Sequence, residues 1–206
     1  MGRGLPGTPQ AGRASAAATT RSDADSLRLT ISTTADAMFL IETERLALRH
    51  LSIDDADMMF ELLNEPSFIH NIGDRGVRSG EQARAYIQNG PIASYQRHGF
   101  GLNRVALRDA GPAIGICGLL KREHLEHPDI GFALLPRFWS RGYALEAAQA
   151  VIAHARQHLG LQRILATTAL DNSDSIRLLE RIDFRAEGMI QSPGYDEPSR
   201  LFAWTA

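Results

Sequence analysis

Two short stretches of the chain hold the residue types from which an anion-binding cleft can be built. The first, Trp139-Ser140-Arg141-Gly142-Tyr143-Ala144, follows the apolar run Ile130–Leu135 and opens a helical pattern that has no acidic residue before Glu146. That is the sequence form of a strand, a tight turn and a helix N-terminus. Backbone N–H groups in the first turn of a helix lack intrahelical partners, and with the positive end of the helix dipole they suit a phosphate or pyrophosphate. The second stretch, Asn172-Ser173-Asp174-Ser175, opens another helix one strand later. Two parallel strands whose following helices start at the same sheet edge make a crevice there, so a ligand with a pyrophosphate can sit on the first helix and extend toward the second. Each stretch alone has a plainer use. A Gly-containing turn before a helix is common, and Asn172 with Ser175 fits a helix cap with a polar first turn. Their order and their separation by one helix and one strand are what capping does not explain.

Other chemistries fit less well. His124 and His127 in HLEH lack the His-Glu-x-x-His spacing and have no cysteine partners, so no metal centre is expected there. His154 and His158 stand i, i+4 on the motif helix and can pair around a metal, but a place at its C-terminal end, where positive charge is favourable, is the simpler role. No Gly-x-x-x-x-Gly-Lys-Ser/Thr occurs, and the Gly-x-Gly-x-x-Gly at Gly2, Gly4 and Gly7 has no strand before it and no helix after it. A net charge of -2 and a pI near 6.4 exclude a nucleic-acid binder that works through bulk charge. The single cysteine, Cys117, in AIGICGLL, reads as a small buried hydrophobe and suits a reducing, cytoplasmic setting. No apolar run reaches the roughly 20 residues of a membrane span, and no membrane partner is expected.

The elements that must position the two stretches follow in chain order. Residues 1–37 are rich in Gly, Ala, Ser, Thr and Arg and are expected to be disordered, ahead of one domain over residues 38–206. The change of texture at Met38 makes it a candidate natural start; the rival reading is an organellar presequence carrying Arg3, Arg13 and Arg21. RLALRHL at Arg45–Leu51 alternates as a half-buried strand. Ser52 caps a helix containing Met58, Met59, Phe60, Leu62 and Leu63, Glu65–Arg78 reads as a loop, and Gly80–Arg97 as a second helix with a weak point at Gly90-Pro91. These two helices form a lobe expected to help receive a substrate. Gly101–Asp109, Ala113–Leu120 and Ile130–Leu135 make an antiparallel meander. The helix Ala144–His158 ends at Gly160, and Arg163–Leu170 is a strand parallel to the one before it. A helix over Asn172–Ile182 and strands over Arg185–Gln191 and Arg200–Thr205 complete the pattern. The fold class is α+β in three layers: a mixed, mostly antiparallel twisted sheet of six to seven strands with about four helices.

Over Phe39–Trp204 the chain resembles the GNAT N-acetyltransferases, near the branch that acetylates the N-termini of ribosomal proteins. That family's phosphate loop, Gln/Arg-x-x-Gly-x-Gly/Ala, takes the form Trp-Gly-Lys-Gly-Tyr-Ala before Thr-Glu-Ala in this branch. WSRGYALEA at Trp139–Ala147 matches, with Ser140 in place of the first Gly. The block Asn-x-x-Ser-x-x-x-Leu-Glu-Lys-x-Gly-Phe matches at Asn172, Ser175, Leu179, Glu180 and Phe184; Asp183 replaces its Gly and must take a left-handed conformation at a cost of order 1 kcal/mol. The resemblance implies direct transfer of an acetyl group from acetyl-CoA, as co-substrate, to a peptide or small-molecule amine, by a monomer or homodimer. It implies that the backbone N–H groups of Arg141, Gly142, Tyr143 and Ala144 hold the pyrophosphate, with charge from Arg141, and that Trp139 and Ser140 belong to the same cofactor-binding turn. The backbone edge of Phe132 and Leu134 would pair with the pantetheine amides, and Asn172 would bind the cofactor arm. Many members protonate the leaving thiolate with a Tyr where Leu179 stands; here Ser175 takes that role and also touches the cofactor. Candidates for the base are Glu123, Glu126, Asp129, Asp196 and Glu197. The alternative function is a CoA-binding regulatory or partner-binding module that has lost the reaction.

Overall fold

The computed structural model describes residues 40–193 and 197–206. The expected N-terminal tail, the Met38 start and Asp196 lie outside the described residues. Alternation in Leu46–His50 (β2) buries Leu46 and Leu48 completely, and a short strand over Leu40–Glu42 (β1), not expected from the sequence, pairs antiparallel with it. Beyond the lobe follow Leu102–Leu107 (β3), Ala113–Leu120 (β4) and Asp129–Leu134 (β5), then Arg163–Thr168 (β6), Arg185–Ile190 (β7) and Ser199–Thr205 (β8). The sheet order is β1-β2-β3-β4-β5-β6-β8-β7. Every described pair is antiparallel except β5 with β6, which is parallel as the helical crossover requires. The observed count of eight strands exceeds the expected six to seven because of β1.

The lobe departs from its sequence reading. Ser52 N donates to Asp55 Oδ2 at 2.9 Å, opening a 3-10 turn that runs into the helix Ala56–Asn64 (α1). The stretch expected to be a loop holds a further helix, Pro66–Ile72 (α2), which starts with Pro66 in its first turn and ends at Gly73. Pro is favoured at that position because its missing N–H has no helical partner to lose, and Phe68 is buried beneath the helix. Gly80–Ile87 (α3) and Ala93–His98 (α4) are separated by a π turn at Gln88–Ile92, where Pro91 breaks the regular ladder.

Two cores sandwich the sheet. On one face the helices Tyr143–His158 (α5) and Ser173–Arg181 (α6) pack against Ile130, Ile164, Ala166 and Phe202; on the other, α1 to α3 cover Leu102, Ile116 and Leu135. Alternation along β5 therefore sends Ile130, Phe132 and Leu134 toward α5, and Gly131 and Ala133 toward the lobe. Cys117 is fully buried, and burial pushes its thiol pKa up, which leaves it a hydrophobe rather than a nucleophile. Asp183 adopts φ 65°, the left-handed conformation its place at the end of α6 requires.

Candidate active site

A cavity of about 580 Å³ opens where β5 and β6 part. The two strands are joined at their start, with Asp129 opposite Leu165 and Leu165 N donating to Pro128 O at 2.9 Å, and the described register contains no further pair. Peptide groups on a strand alternate sides, so those of Ile130, Phe132 and Leu134 face this slot. Trp139, on the following turn, donates from its indole Nε1 to Leu134 O at 2.6 Å. That carbonyl is thus engaged, and the Phe132 peptide groups and the Leu134 N–H remain for a ligand.

The turn itself is shaped by two left-handed residues, Ser140 (φ 58°) and Gly142 (φ 78°). Gly142 is the N-cap of α5, and the first helical bond runs from Glu146 N to Gly142 O at 3.0 Å, which leaves the N–H groups of the first turn without helical acceptors. Ser140, Gly142, Tyr143 and Ala144 line the cavity with Trp139, while Arg141 lies outside the wall and is exposed. Across the slot, Asn172 Oδ1 caps α6 by accepting from Ser175 N at 3.1 Å. The Asn172 amide nitrogen is left for a ligand. Ser175 and the buried Leu179 also face the cavity, and the Ser175 hydroxyl makes no hydrogen bond to a described residue.

An open strand edge beside an unfilled helix N-terminus is the geometry expected of a protein that takes an elongated, phosphate-bearing ligand as an extra strand. Residues 45–185 match the family model described as acetyltransferase (GNAT) domain. The chain belongs to the GNAT acetyltransferase family. This acetyltransferase is 31% identical over 160 residues to the uncharacterized N-acetyltransferase YoaA of Bacillus subtilis, covering 76% of the chain and 88% of that relative. Among solved structures it is similar to a GNAT-family acetyltransferase from Bacillus anthracis, with TM-score 0.69 and 26% identity over 81% of this chain and 98% of that one. It also shares its fold with RimL, a ribosomal L7/L12 alpha-N-protein acetyltransferase in complex with coenzyme A, at TM-score 0.71 and 20% identity over 81% and 97% of the two chains. The chain is accordingly an acetyl-CoA-dependent acyltransferase.

The candidate bases of this GNAT chain that lie among the described residues do not converge on the cavity. Glu123, Glu126 and Glu197 are exposed and outside its wall. Asp129 is 1% exposed and sits behind Arg122, whose Nε donates to its Oδ1 and Oδ2 at 3.2 and 3.0 Å; Arg122, not Asp129, reaches the cavity. Burial pushes the Asp129 carboxyl up to about 6 against the opposing pull of Arg122.

Besides Arg122, sequence reading missed two contributors. The first is Arg45, whose Nε donates to Glu146 Oε2 at 2.6 Å and whose Nη1 donates to Arg141 O at 2.9 Å, while its guanidinium lies 4.8 Å over the Tyr143 ring. Burial would raise the Glu146 carboxyl, but hydrogen bonds from Thr43 and Arg45 outweigh it and hold it below its ordinary value. The basic residue after Thr43-Glu44 and the acid in the first turns of α5 were each visible, but nothing local joins positions 101 apart. The second is α2, which brings Ser67, Phe68, Asn71 and Ile72 to the cavity wall and places His70 Nε2 3.4 Å from Asp171 Oδ2 across its mouth. His154 corrects another expectation. Half-burial, with His158 and His50 nearby, lowers its pKa to about 4, so it is neutral at pH 7 and puts no charge on the end of α5.

Proposed function

We propose that the protein transfers the acetyl group of acetyl-CoA directly to an amine, either a protein N-terminus or a small-molecule amine, in the cytoplasm. The observation that carries the reading is the open β5 edge at Phe132 and Leu134, lying beside the unfilled N–H groups at the start of α5. Acetyl-CoA, when bound, supplies the thioester acetyl group. The first-turn N–H groups of α5 hold its pyrophosphate, Arg141 adds charge at the rim, and the Asn172 amide nitrogen holds the arm. A backbone N–H of the β5 edge would stabilise negative charge on the thioester oxygen while the amine nitrogen bonds to the acetyl carbon and the C–S bond breaks, and Ser175 Oγ would pass its proton to the departing sulfur and recover one released by the amine through water.

None of the lobe residues in the described cavity wall is a carboxylate, and the carboxylates of that wall, Asp171 and Asp174, stand against His70 and Arg177, which bears on the acceptor. A lysine with pKa near 10.4 needs deprotonation costing about 4 to 5 kcal/mol at pH 7, whereas an α-amine near 8 is already partly neutral and loses its proton to water. This favours an α-amine. Leu179, buried where many relatives place an acid, supports the second reading, a CoA-binding module without turnover. Acetyl-CoA consumption against peptides, polyamines and aminoglycosides separates the two: tight CoA binding with no turnover on any amine would establish the module.

A further inference from the structure

Arg122 lines the cavity together with Ser67, Phe68, Asn71 and Ile72 of the lobe, and none of these lobe residues is a carboxylate. The acidic residues of the cavity stand at the α6 end, where Asp171 meets His70 and Asp174 is paired with Arg177. Arg122 is held from behind. Its Nε binds both oxygens of Asp129, a carboxylate 1% exposed, and its terminal nitrogens make no hydrogen bond to a described residue. A guanidinium fixed along its Nε edge keeps its Nη fork free, and that fork matches the two oxygens of a carboxylate.

We propose that Arg122 is a specificity-determining residue that binds a carboxylate carried by the acceptor amine, so that acceptors are amino acids or peptides with a carboxylate close to the amino group. Asp129 is then a positioning residue that aims Arg122 and does not touch the acceptor. Polyamines and aminoglycosides are disfavoured, because a polycation entering this wall loses water without meeting compensating acids and faces a fixed positive charge. The proposal rests on the amine-acetylation reading above.

The test measures thiol release from acetyl-CoA with the full chain, for amino acids and dipeptides each paired with its C-terminal amide, and for spermidine and kanamycin. The wild type is expected to prefer the carboxylate member of a pair by about tenfold or more in kcat/KM. The Arg122→Gln/Asp129→Asn double variant leaves no buried ion unpaired, and should bring that ratio to within about twofold while the Kd for CoA also changes less than about twofold. Asp129→Asn alone keeps the guanidinium but no longer aims it, and should lower the preference part-way toward that of the double variant while the Kd for CoA changes less than about twofold, an outcome a merely structural ion pair would not give. A ratio near one in the wild type, an unchanged ratio in the double variant, or a preference for spermidine or kanamycin overturns the proposal. Should the wild type bind CoA and acetylate nothing, acetyl transfer fails as a reading. Calorimetric titration of the CoA-saturated protein with N-acetylglycine against its amide then decides the Arg122 site, and equal or absent binding of the two overturns it.

Discussion

Arg45 is not itself a residue of the cavity wall, and removing it is expected to loosen the loop proposed to hold the pyrophosphate. In Arg45→Ala, Glu146 loses Nε and Nη2, both 2.6 Å from its Oε2, and the Arg141 carbonyl loses Nη1 at 2.9 Å. Arg45 is 45% exposed and Glu146 15%, so solvent screening limits the ion pair to about 0.5 to 1 kcal/mol. The hydrogen bond from a charged donor to a carbonyl brings the total loss to about 1 to 2 kcal/mol. For a chain of this size that lowers Tm by about 3 to 6 °C, readable by scanning calorimetry. The loop also contains Ser140 at φ 58°, a conformation costing a non-glycine residue of order 1 kcal/mol. Without the tether on Arg141 that strain is free to relax in the unbound protein, and recovering the bound shape should raise the Kd for CoA about tenfold. Arg45→Lys should recover part of the stability through its charge and little of the affinity, because a single ammonium cannot serve the carboxylate and the carbonyl together. A double-mutant cycle with Glu146→Gln should return a coupling of about 1 kcal/mol. A fall in Tm with an unchanged Kd for CoA would show that the brace belongs to the fold alone and would refute the reasoning.

Ser175→Ala should lower kcat by about 100-fold or more with little change in acetyl-CoA affinity, because Asn172 caps the Ser175 backbone N–H and not its hydroxyl; turnover equal to wild type removes Ser175 as the acid. Asp129→Asn should change the pH dependence of stability. Its folded pKa, about 6, lies above the ordinary 3.8, so the folded state holds the proton more tightly, and the resulting stabilisation, full below pH 3.8, is lost as pH rises through 6. Relative to wild type the variant should therefore gain up to about 3 kcal/mol between pH 4 and 7, and denaturation curves that stay parallel across that range would contradict the assignment.

The sheet and its two motif helices were legible because their signals are local. The alternation of Leu46 and Leu48, the apolar run of β5 and the capping residues Gly142 and Asn172 each announce an element within a few positions. α2 was not legible, because a seven-residue helix between Pro66 and Gly73 shows too few turns for a period and its flanking Pro and Gly are also loop signals. The placement of Asp129 was hidden for another reason. Its rank among the acids depends on Arg122 folding back over it, and burial by a neighbour seven positions away across a loop leaves no composition signature. Arg45 escaped likewise, since its partners come from the other end of the domain.

The parting of β5 and β6 divides the sheet into two antiparallel blocks, β1 to β5 and β6 to β8, that meet at one parallel register pair and through α5. The interior of the molecule therefore has a seam, and the seam runs through the candidate site. Backbone amides along it, at Phe132 and Leu134, lack the strand partner that protects amides elsewhere in the sheet, and they should exchange with solvent earliest of any in the central strands. A chain-like ligand bound there would act as a suture. Its occupancy would be written into the exchange rates of both blocks and into how far the two halves move as one body, so that substrate loading and mechanical cohesion of this domain become the same event.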